Sequence, residues 1–292
     1  MNQSNARGIA AMLFATASFV VCDTGLKLAM QDALPPFEVL FIRGIFATIC
    51  CTALLVAVGQ GRSIARGFTT ASLLRGGFET VSVLCYIVAL QAMAIGDVIA
   101  IAQTAPLIFI LLVATIGREP IGPRRIGLIA LGFIGAIMVA QPDADGFSAA
   151  ALLAFASALL VALRDIFGRK VSSTIPVLAA VLASNVVVML GSGALSLLSE
   201  DLVMPTLTNL GYLLGAGFFV TLGHFGIFTA YRLGSAGAVA PFFYSFAVWA
   251  VLSGLFVFHV LPNALALAGI AAIVASGLGI VLLDRRRAAV PG

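Results

Sequence analysis

Charged side chains lie within stretches that are otherwise apolar enough to cross a membrane. Asp23 and Lys27 are one helical turn apart in ASFVVCDTGLKLAM, residues 17–30, and Arg43 lies in the next apolar segment. Charges inside a bilayer are costly unless they are paired or wet. One hypothesis is an ion network in the outer half of the membrane that shapes a cavity or contacts a charged substrate. The alternative is that Lys27 extends to the lipid headgroups and that Asp23 only neutralises Arg43.

Further polar residues recur at helical spacing. Glu79, Ser82 and Tyr86 follow one another at i, i+3 and i+7, which places them on one face of a helix. Glu79 would bind a substrate amine or carry a proton, or it would only pair with Arg75 four residues earlier. The other residues predicted to face a substrate cavity are Gln103, Asn185, His224, Tyr244 and Trp249. For His224 the alternative is a hydrogen-bonded position in the helix core.

The composition excludes most other chemistry. The four cysteines, Cys22, Cys50, Cys51 and Cys85, all lie in apolar segments and are typical of small buried hydrophobes rather than of metal ligands or disulfides. The sequence contains no zinc-protease, hydrolase or phosphate-loop motif. We therefore expect no cofactor, no metal, no nucleic-acid partner and no drive by ATP. An intramembrane enzyme and a scaffold protein are the weaker alternatives to a carrier.

The elements that position these residues are membrane helices. Of the 292 residues, 61% are hydrophobic and 10% are charged, and the mean hydropathy is +1.14. Soluble proteins are about 45–50% apolar, so the chain is predicted to be an all-α membrane protein. Apolar runs long enough to span a bilayer occur at 8–30, 36–58, 72–93, 96–116, 122–140, 147–165, 175–198, 209–231, 235–258 and 262–283.

The charges predict the orientation of these ten spans. Every Lys and Arg except Lys27 and Arg43 lies in alternate connections or at a terminus, whereas the intervening connections carry only acidic charges such as Asp143 and Glu200. The positive-inside rule then places both termini in the cytoplasm. A multi-pass protein of the bacterial inner membrane is expected.

The sequence also contains a weak internal repeat. At an offset of 142 residues Asp23 matches Asp165 and Lys27 matches Arg169, and at an offset of 138 Tyr86 matches His224. The repeats are predicted at 1–143 and 144–292. Because each holds five spans, the second must enter the membrane upside down, which is typical of secondary transporters with a substrate site between the halves.

The run APLIFILLVATIGREPIGPRRIGLIALGFIGAIMVA (105–140) and its partner VLPNALALAGIAAIVASGLGIVLL (260–283) resemble the drug/metabolite transporter superfamily in its EamA-type branch. The family's Gly-Glu pair is matched by Gly117 and Glu119, but the second half has no equivalent glutamate. The resemblance extends over essentially the whole chain and implies a ten-helix carrier of metabolites. YddG-type amino-acid exporters are one branch that fits the size and topology.

These observations lead to one functional prediction. The chain is expected to work by alternating access as a monomer or weak dimer, exporting amino acids or similar small zwitterions. Carriers of nucleosides, amines or drugs are the alternatives. The stretches IGLIALGFIGAIMVA and LALAGIAAIVASGLGIVLL in the last span of each half lack polar side chains apart from Ser276, so spans 5 and 10 are expected to lie outside the cavity. Asp23 and Arg43 are expected to be in contact or bridged by water.

Overall fold

The computed structural model describes residues 3–117, 121–142, 146–168 and 174–288. The described chain is built from helices: α1 (Gln3–Gln31), α2 (Pro36–Ala57), α3 (Thr70–Ala92), α4 (Ile95–Ala102), α5 (Ala105–Gly117), α6 (Pro123–Ala140), α7 (Ala149–Gly168), α8 (Val177–Ser199), α9 (Leu207–Leu233), α10 (Ala236–Val239), α11 (Ser245–Phe256) and α12 (Ala264–Ala288). A 3₁₀ segment, Ala240–Tyr244, joins α10 to α11. The predicted residues Arg169, Glu119 and Asp143 lie outside the described residues.

Each predicted span coincides with a helix or with a broken helix. Within the described residues, nine helical segments are long and apolar enough to cross a membrane, and Ala240–Phe256 is a shorter apolar segment. The all-α membrane fold is therefore confirmed, whereas the exact number of membrane crossings stays a prediction. Two of the predicted spans are interrupted: the fourth between α4 and α5, and the ninth at the 3₁₀ segment that contains Pro241.

Local sequence signals explain several helix ends. Pro36 occupies the first turn of α2, where its missing N–H costs no hydrogen bond. The hydroxyl of Thr69 accepts a hydrogen bond from the Ser72 N–H and caps α3. Thr206 caps α9 in the same way through the Asn209 N–H. Such caps satisfy backbone donors that a helix end leaves open.

The helices pack in a pattern that is symmetrical between the two predicted halves. α1 packs on α9 as α3 packs on α7, and α2 packs on α8 as α6 packs on α12. Exchanging each span with the one five places later leaves these pairings unchanged. This supports the repeat, although the inverted orientation and the boundary at residue 143 stay predictions.

Small residues allow the α6–α12 pair to approach closely. A Cβ atom built on Gly135 would lie 2.6 Å from the carbonyl oxygen of Gly269, so a larger residue would push the helices apart. Glycine at such crossings lets membrane helices pack backbone to backbone. One polar contact also joins the pair, since the Ser276 hydroxyl donates a hydrogen bond of 2.6 Å to the Leu128 carbonyl oxygen.

The ends of the bundle differ in packing. We call the end where α3 stops and α4 starts the sealed side, and the end where α3 starts and α7 stops the mouth side. The largest buried apolar cluster lies toward the sealed side and includes Leu26, Leu34, Leu90 and Ile95. Smaller apolar clusters occupy the mouth side. The core is therefore concentrated at one end.

Candidate functional site

A cavity of about 750 Å³ lies between the helices. This volume is within the range of ligand pockets, which are typically about 300–1,000 Å³. Side chains from α1, α2, α3, α7, α8 and α9 line it, together with both broken spans. Among the described residues, α6 and α12 contribute no lining side chain, as their composition predicted. The predicted site residues on its wall are Asp23, Arg43, Glu79, Ser82, Tyr86, Gln103, Asn185 and His224.

A network of charged side chains lines the cavity toward the mouth side. Arg164 on α7 places its Nη1 atom 2.8 Å from Glu79 Oε2 on α3, and its Nη2 atom 2.8 Å from Asp165 Oδ1. Arg75 lies 3.9 Å from the same Glu79 oxygen and donates a hydrogen bond of 2.6 Å to the Ser184 hydroxyl. The network thus joins α3, α7 and α8. Glu79 does pair with Arg75, but its closer partner is Arg164.

Asp23 lies deeper in the cavity, where the Tyr86 hydroxyl donates a hydrogen bond of 2.8 Å to its Oδ2 atom. This bond joins α1 to α3. Arg43 also lines the cavity and is close enough for its charge to act on Asp23. No direct hydrogen bond or ion pair links Asp23 to Arg43 within the described residues. Of the two predicted arrangements, the direct contact is absent, and the water bridge between Asp23 and Arg43 stays a prediction.

Two serines connect α3 to α7 at the same cavity wall. The hydroxyls of Ser82 and Ser157 are 3.0 Å apart, and Ser82 also donates to the Ser157 carbonyl at 3.1 Å. Both side chains are buried at 2% exposure. Ser82 therefore serves the α3–α7 packing, and its position on the cavity wall follows from that packing.

Aromatic rings form much of the remaining wall. His224 packs edge-on against Phe19, with 5.1 Å between the ring centroids, and its Nδ1 atom is 2.8 Å from the Val220 carbonyl oxygen. The other aromatic side chains on the wall are Tyr86, Phe228, Tyr231, Phe243 and Phe246. The wall therefore offers flat apolar surfaces beside a few charges, a combination that suits an organic solute with a ring or a long apolar part.

Lys27 has a different role from the one predicted. Its Nζ atom donates hydrogen bonds of 2.5 Å to the carbonyl oxygens of Leu90 and Met93, at the end of α3. A cation at that position satisfies open carbonyls and complements the helix dipole. Lys27 is buried and does not line the cavity, so it neither reaches the headgroups nor shares a network with Asp23 and Arg43.

Tyr244 and Trp249 are not brought into the cavity. Tyr244 is buried where Gly277 of α12 leaves space for its ring, since a Cβ atom at Gly277 would overlap that ring. Trp249 packs against the core of the sealed side. The helical phase of a broken span cannot be extended across its 3₁₀ segment, which explains both misplacements.

The structure also shows contacts of residues that were not predicted as site residues. Arg164 belongs to the basic residues expected at the cytoplasmic surface, and Ser157 is a lone hydroxyl in an apolar run. Glu200 accepts hydrogen bonds from the N–H groups of Phe37 and Glu38, at 2.8 and 2.9 Å. For Arg164 the repeat does offer a sequence signal, because the neighbouring Asp165 matches Asp23.

Comparisons with known proteins show which proteins this chain is similar to. Residues 6–141 match the profile of the EamA-like transporter family. The chain is 28% identical to a riboflavin transporter of Rhizobium johnstonii over 89% of this chain and 85% of that protein. It is 27% identical to a pseudopaline exporter of Pseudomonas aeruginosa, over 90% of this chain and 91% of that protein.

A third relative is an S-adenosylmethionine uptake transporter of Rickettsia conorii, 25% identical over 87% of this chain and 85% of that protein. A solved crystal structure superimposes with a TM-score of 0.69 over 95% of this chain and 98% of its own, at 19% identity, and so shows the same fold. These relatives are named as transporters rather than enzymes. The chain is a multi-pass membrane protein with a transporter role, and its residues 6–141 are similar to the EamA-like transporter family.

Proposed function

We propose that the protein is a secondary carrier that moves a small polar organic solute through this cavity by alternating access. The observation that carries the proposal is a single cavity, lined by charges and rings, that reaches exposed residues at one end and is packed shut at the other. Asp165, whose side chain is 47% exposed, and Tyr231, at 45%, lie on its wall at the mouth side. Buried Leu26 and Leu90 block the opposite end.

The charge pattern supports a cytoplasmic position for the mouth. Arg75, Arg164 and Arg232 all lie on the cavity wall, and they belong to the basic residues that the positive-inside rule assigns to the cytoplasm. With both termini in the cytoplasm of a bacterium, the conformation corresponds to an inward-open carrier in the inner membrane. The cavity lies within one chain, which is compatible with a monomer or a weak dimer.

Zwitterionic metabolites, such as amino acids, are one candidate substrate class. Asp23 and Arg43 present opposite charges on the same wall without a direct bond between them. A solute that carries an ammonium and a carboxylate group would find a partner for each. Export stays the direction predicted from the sequence, and the relatives include both an exporter and an uptake transporter.

Ring-containing metabolites of the riboflavin kind are the second candidate. The aromatic side chains on the wall favour them, because flat rings stack on flat rings. Two relatives named as riboflavin transporters are 28% and 29% identical to the chain. A cavity of about 750 Å³ also has more room than a single amino acid requires.

The repeat supports a scheme for the opposite conformation. Asp165 and His224 correspond to Asp23 and Tyr86, which now form a bond between α1 and α3. Asp165 currently bonds to Arg164 instead. In an outward-open state we expect Asp165 and His224 to approach one another and close the mouth, while the bond between Asp23 and Tyr86 breaks.

Transport by the purified protein in liposomes tests the proposal. Vesicles are loaded in parallel with amino acids, riboflavin and S-adenosylmethionine, and efflux and counterflow are measured against empty liposomes. Saturable flux of at least one solute class, lost when Asp23 is changed to Asn, is expected. No flux of any solute in vesicles that hold folded protein would contradict the carrier function.

A further inference from the structure

His224 lies on the cavity wall, and its hydrogen bonding fixes where the ring carries its proton. The Nδ1 atom is 2.8 Å from the Val220 carbonyl oxygen. A carbonyl only accepts, so Nδ1 carries the hydrogen and the neutral ring presents the lone pair of Nε2. Within the described residues no group bonds to Nε2, and this atom is not enclosed. The ring is half-buried on the wall, so Nε2 is an acceptor open to the cavity.

Tyr86 occupies the equivalent position in the other half of the repeat, at the offset of 138 residues. Its hydroxyl donates a hydrogen bond of 2.8 Å to Asp23 Oδ2. A phenol keeps this hydrogen at neutral pH, so the bond between α1 and α3 forms without any change of protonation. The two halves therefore differ at this position: one presents a permanent donor, and the other presents an acceptor.

Asp165 is the carboxylate that would meet His224 when the mouth closes. Its Oδ1 atom accepts a hydrogen bond of 2.9 Å from Arg164 Nε and lies 2.8 Å from Nη2. An ionised carboxylate is also only an acceptor. Two acceptors that face each other cannot bond, and an unpaired polar group costs free energy once water has left. The mouth can therefore close through this pair only if a proton lies between the two side chains.

Charged side chains from four neighbouring helices share the wall with His224. They are Asp23 of α1, Arg43 of α2, Arg75 and Glu79 of α3, and Arg164 and Asp165 of α7. Glu79 and the arginines at the mouth are close enough for their charges to act on the ring. Glu79 is engaged with Arg75 and Arg164, and no carboxylate among the described residues bonds to the ring. Asp165 would therefore be its first acidic partner.

We propose that His224 is the proton-binding residue of the carrier. In the inward-open state its Nε2 atom takes a proton from cytoplasmic water, and the new N–H donates to Asp165 as α7 and α9 close the mouth. The N–H is the only covalent bond that forms in the protein. The outward-open state then holds one proton more than the inward-open state, so a proton gradient biases which side the cavity faces. The inference rests on the proposed carrier function, because it names the coupling ion of the same cavity.

A distance across the mouth, measured at two pH values, tests the proton site without any need for flux. Nitroxide labels are attached at Ile166→Cys on α7 and Leu233→Cys on α9, neither of which lines the cavity. The background lacks the native cysteines, and the distance is measured by double electron–electron resonance in nanodiscs at about pH 8 and about pH 5. One bound proton shifts a two-state equilibrium by at most about 10-fold per pH unit. We expect the closed fraction to rise at least about 5-fold as the pH falls.

Two variants and a matched control locate the proton. His224→Tyr copies the other half and supplies a permanent donor, so the mouth should close at both pH values. Asp165→Asn offers an N–H to the neutral ring and should also remove the pH dependence, and it serves if His224→Tyr fails to fold. The control is His259→Asn, which changes the other of the two histidines, an exposed residue between α11 and α12. Asparagine tolerates the φ of 55° found there, and this variant should keep the full pH dependence.

The outcomes separate the two proposals. A distance that does not change with pH in the parent overturns the proton site, even when liposomes show flux and the carrier function stands. A pH dependence that persists in both His224→Tyr and Asp165→Asn, or that is lost in His259→Asn, overturns it as well. The expected pH dependence in every variant, but without flux of any solute in liposomes, supports the proton site and contradicts the carrier function.

Discussion

The two ends of the cavity use charged side chains in different ways. On the sealed side, Lys27 bonds to carbonyl oxygens at the end of α3 and Glu200 bonds to N–H groups at the start of α2. At the mouth, Glu79 and Arg164 bond to each other through their side chains. Charged residues therefore bind backbone groups at helix ends on the sealed side, whereas they bind one another at the mouth.

The difference follows from the surroundings of each end. The sealed side is packed with apolar side chains, so a charge there needs partners within the protein, and open helix ends supply them. The mouth side reaches exposed residues, where charged pairs can exchange partners at lower cost. We infer that the caps hold the sealed side shut, while the mouth network can rearrange.

The largest effect is expected from breaking the mouth network asymmetrically. Glu79→Gln leaves Arg75 and Arg164 close together without the shared carboxylate. These side chains are 17–19% exposed, so removing the carboxylate leaves two half-buried cations without their partner, and the melting temperature in detergent should fall. Glu79→Gln combined with Arg164→Gln should cost less than the sum of the single changes. Additive losses would mean that the two residues do not interact.

The next effect concerns the cap on α3. Lys27→Met removes the donor from the carbonyls of Leu90 and Met93 and should destabilise the protein by about 2 kcal/mol, since buried acceptors lose their partner. Lys27→Arg keeps the charge and should retain part of that stability. Thermal unfolding of the three proteins provides the measurement. If the Lys27→Met variant were as stable as the parent protein, the cap on α3 would not stabilise the sealed side.

A smaller effect separates two candidate partners of Asp23. A double-mutant cycle of Asp23→Asn with Tyr86→Phe should give a coupling of about 1.5 kcal/mol, typical of a hydrogen bond to a charged group. The cycle with Arg43→Gln should give a smaller coupling, because no direct bond joins that pair within the described residues. A larger coupling of Asp23 to Arg43 than to Tyr86 would favour the contact or water bridge that the sequence predicted.

The smallest effect is expected at the cap on α2. Glu200→Gln keeps one acceptor oxygen and loses the negative charge at the helix start, which should cost about 0.5–1 kcal/mol. Asp201→Asn is the control, because this neighbouring carboxylate is exposed. Equal changes in melting temperature for both variants would show that the cap contributes no more than any surface charge.

The fold was largely predictable because membrane spans carry a strong local signal. Runs of apolar residues indicate where the helices lie. The long apolar stretches of α6 and α12 predicted that these helices lie outside the cavity, and they contribute no lining side chain among the described residues. Stripes on unbroken helices, such as Glu79, Ser82 and Tyr86, also reached the wall as predicted. Helical phase is preserved along a continuous helix, so these positions follow from the sequence alone.

The partners of the site residues were not predictable in the same way. Lys27 bonds to backbone atoms of α3, and backbone acceptors look the same in every sequence. Glu79 and Arg164 meet only through the packing of α3 on α7, which no local pattern specifies. Tyr244 ends the 3₁₀ segment and Trp249 follows it, so their direction depends on how that segment turns the chain.

Access to the deep wall of the cavity tests the central claim most directly. Val83→Cys, in a background without the four native cysteines, places a single thiol on the cavity wall at a partly exposed position. It is treated with a charged, membrane-impermeant thiol reagent in vesicles of each orientation. We expect rapid labelling from the cytoplasmic side and slow labelling from the opposite side. When Lys27 is changed to Met, labelling from the opposite side should become faster. Equal labelling from both sides in the parent background, or labelling only from the outer side, would contradict a cavity that opens through the mouth alone.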